Sequence, residues 1–145
     1  MALVPFSEPP YVRGLPNPIY SQSHLLWQKR CREFMDKYYH PFAAKWEAED
    51  SLPDSYWHSF ISNNMFVPAM AMPLPCDWLK RVGIHDVLGI PVEDFDTLHG
   101  IIYSDEVYRS GVPGPYSVVG GFSKSISRMI IHILIYHSDC YPVFH

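Results

Sequence analysis

Proline sets the first limit on what this 145-residue chain can fold into. Its 14 prolines cut the sequence into short pieces, and each one fixes φ and removes an amide donor, so helices end or bend there and central strands are excluded. Five fall at positions 5, 9, 10, 16 and 18. They predict an extended arm over residues 1–20 that lies on something else.

Between the breaks, apolar residues recur at the helical period. Placing successive residues 100° apart puts Trp27, Cys31, Phe34, Met35 and Tyr38 on one stripe, with Lys29, Glu33, Asp36 and Lys37 opposite. Ser21 or Ser23 can cap the start, and Glu33 and Lys37 stand at the i,i+4 spacing that favours a surface pair. Pro41 is expected to bend or restart this helix, which Phe42 and Trp46 continue to about Glu49. In "SLPD", Ser51 is a candidate cap, Pro53 suits a first turn and Asp54 favours the positive helix end. The helix they open places Tyr56, Trp57, Phe60 and Ile61 on one face and ends near Asn64.

"MFVPAMAMPLP" (65–75) admits no long helix, and a brief one is expected over 77–81, stopped by Gly83. A third long helix is expected from about Val92 to Arg109. Glu93, Asp94 and Asp96 would sit in its first turn, and Phe95, Leu98, Ile102 and Glu106 on one face, before Ser110-Gly111 ends it. No run alternates cleanly and no repeat is present. The fold class is therefore all-α, three main helices joined by proline-rich connections.

The chain is 48% hydrophobic and 18% charged with a net charge of -4, the composition of a soluble globular domain with a modest core. Nucleic acid is excluded as a partner, because the few Lys and Arg are scattered and outnumbered by acids. Cys31, Cys76 and Cys140 are odd in number and contain no CxxC pair, so free thiols are expected rather than a disulfide framework or zinc ribbon. The longest apolar cluster, MIIHILIY (129–136), is far below the roughly 20 residues that span a bilayer. "MALVPFSEPPYVRG" makes a poor secretory signal or mitochondrial presequence, and "PVFH" is not a peroxisomal tripeptide. An intracellular, soluble protein is expected, its compartment open.

Glu106 is the one acid on an apolar helical stripe. It is either a base with a raised pKa or a structural carboxylate paired with a cation, and Arg109, three residues on, makes pairing the better reading. Asp105 and Glu106 are adjacent, so on a helix they diverge and form no carboxylate dyad. Eight histidines include no HxxxH, and the loose group His137, Cys140 and His145 lacks a fourth ligand. Gly120-Gly121 belongs to no phosphate loop, and no serine has a G-x-S-x-G context. From the residues alone, no catalytic, cofactor-binding or metal residue is assigned. Glu106 and Arg109 stand as a structural pair.

As an ordered set, "WEAEDSLPDSYWHSFISNNMFVPAM" and "GIIYSDEVYRSG" resemble the N-terminal helical domain of the flavin-dependent acyl-CoA dehydrogenases. "PFSEPPYVRGLPNPIYSQSHLLWQKRCREF" is similar to a fungal branch that opens with such a proline-rich arm. The resemblance covers about residues 5–122. It implies an arm over 1–20, an acyl-CoA dehydrogenase N-terminal-like domain over 21–122, and a tail over 123–145 outside the family pattern.

It further implies an oxidoreductase acting on the CH–CH group of acyl-CoA thioesters, in which FAD takes the hydride and a glutamate elsewhere is the base. Glu106 matches the family's structural or pocket-adjacent acid. The flavin and base regions would lie beyond this sequence. A truncated chain, inactive alone and retaining no FAD, is therefore expected, with an aberrant or isoform-specific tail. Where many relatives carry a glycine pair, this chain has "AMAMPLPCDWLKRVG", which leaves acyl chain length open. Trp27, Phe34, Trp57 and Phe60 are not all expected to find partners in so short a chain, which would favour self-association. The alternative is a non-enzymatic interaction module that binds through that aromatic face.

Overall fold

The computed structural model describes Leu15, residues 17–70 and residues 72–112. The expectations for most of the arm, for the 123–145 tail and for His137, Cys140 and His145 lie outside those residues.

Helix α1 runs Gln22–Tyr38. Of the two candidate caps, Ser21 is the one used. Its backbone is extended, its hydroxyl accepts from the His24 N–H, and its own N–H donates to His24 Nδ1 at 2.9 Å. This is a capping box with histidine in the place usually held by Glu or Gln. At Tyr39 the chain turns, and α2 (His40–Glu49) begins at once with Pro41 in its first turn, where the missing amide has no helical partner to lose.

Helix α3 spans Asp54–Ser62, and here the cap differs from expectation: Pro53 is the cap residue and Ser51 makes no cap. Ser51 lies two residues before the cap position, and its N–H bonds the Trp46 carbonyl at the end of α2 at 3.3 Å. Asn64, in the left-handed region at φ 56°, turns the chain out of α3, and the Met65 N–H closes on the Phe60 carbonyl at 2.9 Å.

A 3₁₀ turn over Val67–Ala69 and the short α4 (Cys76–Arg81) follow, with Gly83 at φ 84° ending α4. The next element, not expected from the residue pattern, is a minimal antiparallel hairpin of β1 (Asp86–Val87) and β2 (Ile90–Pro91). Its turn residues Leu88 and Gly89 both have positive φ, 50° and 77°, and Arg30 from α1 secures it by donating to the Leu88 carbonyl at 2.7 Å.

The last helix, α5, is shorter than expected. It spans Thr97–Tyr108, and Val92–Asp94 form a separate 3₁₀ turn. Asp96 is extended and accepts from the N–H groups of Leu98 (2.9 Å) and His99 (3.1 Å). An aspartate that serves the cap satisfies more orphan amides than one inside the first turn. Glu93 precedes the helix and pairs with Lys80 of α4.

Helix α1 packs lengthwise on α5. Trp27 is fully buried between them, edge-on to Phe95 at 5.0 Å, with its indole N–H donating to the His99 carbonyl at 2.9 Å. Beyond it, Phe34, Tyr39, Trp46, Tyr56, Phe60 and Phe66 form one aromatic core joining α1, α2 and α3. Trp27, Phe34 and Phe60 therefore have partners within the chain, and Trp57 packs half-buried against the same core. The aromatic face expected to be unpartnered is the interior. On α5 the buried face is His99, Ile102, Tyr103, Glu106 and Val107, with Leu98 only half-buried. Apart from the hairpin, the described residues are all-α, as expected. None of their helices is long and apolar enough to cross a membrane.

Candidate functional site

Helix α5 carries chemistry on three sides. Its inward side holds Glu106, fully buried. Arg32 of α1 reaches it with two bonds, Nε to Oε2 and Nη2 to Oε1, each 3.0 Å. Gln28 donates to Oε1 at 2.9 Å, and Arg109 donates to Oε2 at 3.2 Å. A buried carboxylate survives when its charge and lone pairs are both answered, and here two guanidinium groups and an amide do so. His40 adds a bond from Nε2 to the Glu106 carbonyl at 2.7 Å, and its other ring nitrogen meets Asp36 at 2.9 Å. The cluster bolts α1, α2 and α5 together. With every acceptor on Glu106 occupied, the carboxylate is not placed to take a proton from a ligand.

The side of α5 facing the Val67–Ala69 turn borders a groove of about 520 Å³. Pro68, Met70, Met72 and Ile101 give it apolar walls, and Ser104 and Asp105 give it polar atoms. Gly100 faces the turn, and a Cβ there would make ordinary contacts of 3.7 Å with the Pro68 carbonyl oxygen and the Met72 methyl. Partial desolvation, then repulsion from Glu106, pushes the Asp105 carboxyl up. Asp105 is the one charged residue among those lining the groove. Its chemistry suits an apolar chain and does not fit the pyrophosphate of a dinucleotide, which needs cations or converging amides.

At the N-terminal end of α5 two capping boxes interlock. His99 occupies the same place after Asp96 that His24 occupies after Ser21. His24 Nε2 lies 3.0 Å from Asp96 Oδ1, His99 Nδ1 lies 2.9 Å from the same oxygen, and the two rings are 4.3 Å apart. Desolvation would raise the Asp96 carboxyl, but the bonds from His99 and His24 outweigh it and hold the group well below the usual carboxylate range. Desolvation also lowers His99, against the opposing bond to Asp96.

His24, Asp96 and His99 are also close enough together to suggest a metal ion. The hydrogen bonds argue against one. A neutral imidazole that ligates through Nε2 needs its proton on Nδ1, and His24 Nδ1 already faces the Ser21 N–H donor.

The structure thus places Glu106 and Arg109 in contact and turns Asp105 away into the groove. Sequence reasoning missed Arg32, Gln28 and His40, which meet Glu106 from 66 to 78 positions away. It also missed the His24–Asp96–His99 cluster. The local signal was present there: a polar cap residue followed three positions later by a side chain able to return the bond.

Comparison with known proteins gives two relatives. The chain is 49% identical over 121 residues to acyl-CoA dehydrogenase apdG of Emericella nidulans, an alignment covering 83% of this chain and 28% of that protein. It is 29% identical over 120 residues to acyl-CoA dehydrogenase AFT10-1 of Alternaria alternata, covering 81% of this chain and 27% of that protein. The chain therefore spans little more than a quarter of the length of these relatives. No family model matches it, and no solved structure matches it.

Proposed function

We propose that this chain, homologous over 83% of its length to a protein named acyl-CoA dehydrogenase, supplies the N-terminal helical part of an acyl-CoA dehydrogenase-like flavoprotein. In the whole enzyme, an acyl-CoA thioester is oxidised across its CH–CH bond and FAD accepts the hydride. The boundaries proposed are an arm over 1–20, the helical domain over 21–122 and a distinct tail over 123–145.

The observation that carries this reading is the 49% identity maintained over 121 residues. The groove beside α5 adds to it. Its methionine and isoleucine walls suit an acyl chain, and we assign it as one side of the acyl-binding region. Glu106 holds that wall in place rather than acting as the base. We place FAD and the catalytic base in parts of the enzyme outside the described residues, so the chain by itself is expected to have no dehydrogenase activity.

The test has two parts. The transcript is sequenced across the Ser123 codon, and the 145-residue chain and any longer product are purified and assayed for bound flavin and acyl-CoA-dependent dye reduction. A longer product with flavin and activity, beside a chain with neither, supports the reading. A longer product that binds no flavin, or transcripts that never continue into further helical and β-domain sequence, would overturn it.

A further inference from the structure

Ser23 Oγ lies 3.1 Å from His99 Nε2, and His99 Nδ1 lies 2.9 Å from Asp96 Oδ1. That is the connectivity of a nucleophile, a base and an orienting carboxylate. From this juxtaposition we propose that Ser23, His99 and Asp96 form an acyl-transfer site that takes small activated esters or thioesters.

The proton positions follow from the partners. A bare Nδ1 on His99 would set its lone pair against the Asp96 carboxylate at 2.9 Å, whereas the competing Asp96 N–H is farther away at 3.3 Å. With the proton on Nδ1, which gives up the capping-box bond from the Asp96 N–H, the Nε2 lone pair faces the Ser23 hydroxyl. Burial keeps the ring in its neutral form, as a base requires. Asp96 is in turn fixed by the Leu98 and His99 amides and by His24 Nε2.

Ser23 is the second residue of α1, so the amides of Gln22 and Ser23 have no preceding turn to pair with and carry the positive end of the helix. A developing oxyanion on an acyl group at Ser23 would meet those amides. Leu26, three residues along the same face, is 42% exposed and offers apolar surface to the acyl group.

The step balances without redox chemistry. Ser23 Oγ bonds to the acyl carbon while its proton passes to His99 Nε2. The tetrahedral intermediate then breaks its bond to the leaving alcohol or thiol, which takes the proton from Nε2. Water repeats the sequence on the acyl-serine, releasing the carboxylic acid and restoring the hydroxyl.

The test uses the full chain, a fluorophosphonate probe and p-nitrophenyl acetate, and is independent of flavin or dehydrogenase activity. The expected result is a single covalent adduct on the Ser23 peptide by mass spectrometry. Ser23→Ala should abolish the adduct and slow ester hydrolysis at least about tenfold. Asp96→Asn keeps a capping side chain yet no longer orients the base, and should slow labelling by on the order of a hundredfold with unchanged far-UV circular dichroism. No adduct at Ser23, hydrolysis by Ser23→Ala at the wild-type rate, or labelling of Asp96→Asn at the wild-type rate would each overturn the proposal and leave the hydrogen bonds as helix caps alone.

Discussion

Arg32 and Glu106, 74 positions apart in sequence, meet through two parallel hydrogen bonds of 3.0 Å, with the carboxylate fully buried and the guanidinium largely so. Removing Arg32 takes away the two-pronged contact and leaves only Arg109 and Gln28 to answer a buried charge. Arg32→Leu is expected to cost about 3–5 kcal/mol, read as a lower urea midpoint at unchanged slope. Arg109 makes a single bond of 3.2 Å to the same carboxylate, so Arg109→Leu should cost less. Equal losses in the two variants would show that the bidentate contact is not the dominant one.

Tyr56 gives the opposite kind of prediction. Its ring packs 4.4 Å from Phe60 and 5.3 Å from Trp46, while its buried hydroxyl has no hydrogen-bond partner among the described residues. Desolvation, and then the neighbouring Tyr39, pushes its pKa well up. Tyr56→Phe keeps the packing and removes the unanswered oxygen. It should be neutral or stabilising by up to about 1 kcal/mol; a clear drop in Tm would reveal a partner for that hydroxyl.

Two glycines separate backbone strain from crowding. Gly83 and Gly89 both have positive φ, but a Cβ at Gly83 would meet nothing within 4 Å, whereas at Gly89 it would stand 2.7 Å from Arg30 Nη1. Gly83→Ala should cost about 1–2 kcal/mol from the left-handed backbone alone. Gly89→Ala should cost more, because it also displaces the arginine that holds the hairpin. If the two variants melt together, the Arg30 bond contributes nothing to the hairpin.

Acid should weaken the helix junction. The folded pKa of Asp96 lies below its ordinary value, so its contribution is fully present above about pH 4 and is lost as pH falls further. His99 is also lowered: the unfolded chain takes up that proton near pH 6.5 before the folded one does, so stability declines from there downward. The groups acting on His99 are Asp96, His24 and Asp94. Wild-type Tm should therefore fall between about pH 7 and pH 5, and His99→Gln should flatten that part of the curve. A His99→Gln variant with the wild-type pH slope would assign the loss to another group.

Particular residues show why some features are readable in sequence and others are not. The α1 stripe, the Pro41 break and the Gly83 stop depend on neighbours within a turn or two, and all three are found where the spacing puts them. The misplaced features had local alternatives that distant groups decided. Ser51 was free in sequence to cap α3, but that helix begins at Asp54 and Pro53 takes the cap position. Asp96 was free to lie in a longer helix, and capping Leu98 and His99 while binding His24 fixed it at the start instead. The hairpin turn has Leu88 at a position usually given to Asn or Asp; Asp86 supports it locally by accepting from the Gly89 N–H, and Arg30 adds a distant bond to the Leu88 carbonyl.

Legible in the letters alone were an all-α domain, its helix periods and breaks, and an acid at position 106 on an apolar stripe. Hydrophobic periodicity and proline geometry are short-range, so a single chain of letters carries them. Tertiary structure alone decided which cations answer Glu106, that Asp105 faces a groove, and that Ser23, His24, Asp96 and His99 meet at one helix junction. Those contacts join α1 to α5 across some 70 residues, and only the packing of one helix against the other brings such side chains within hydrogen-bonding distance.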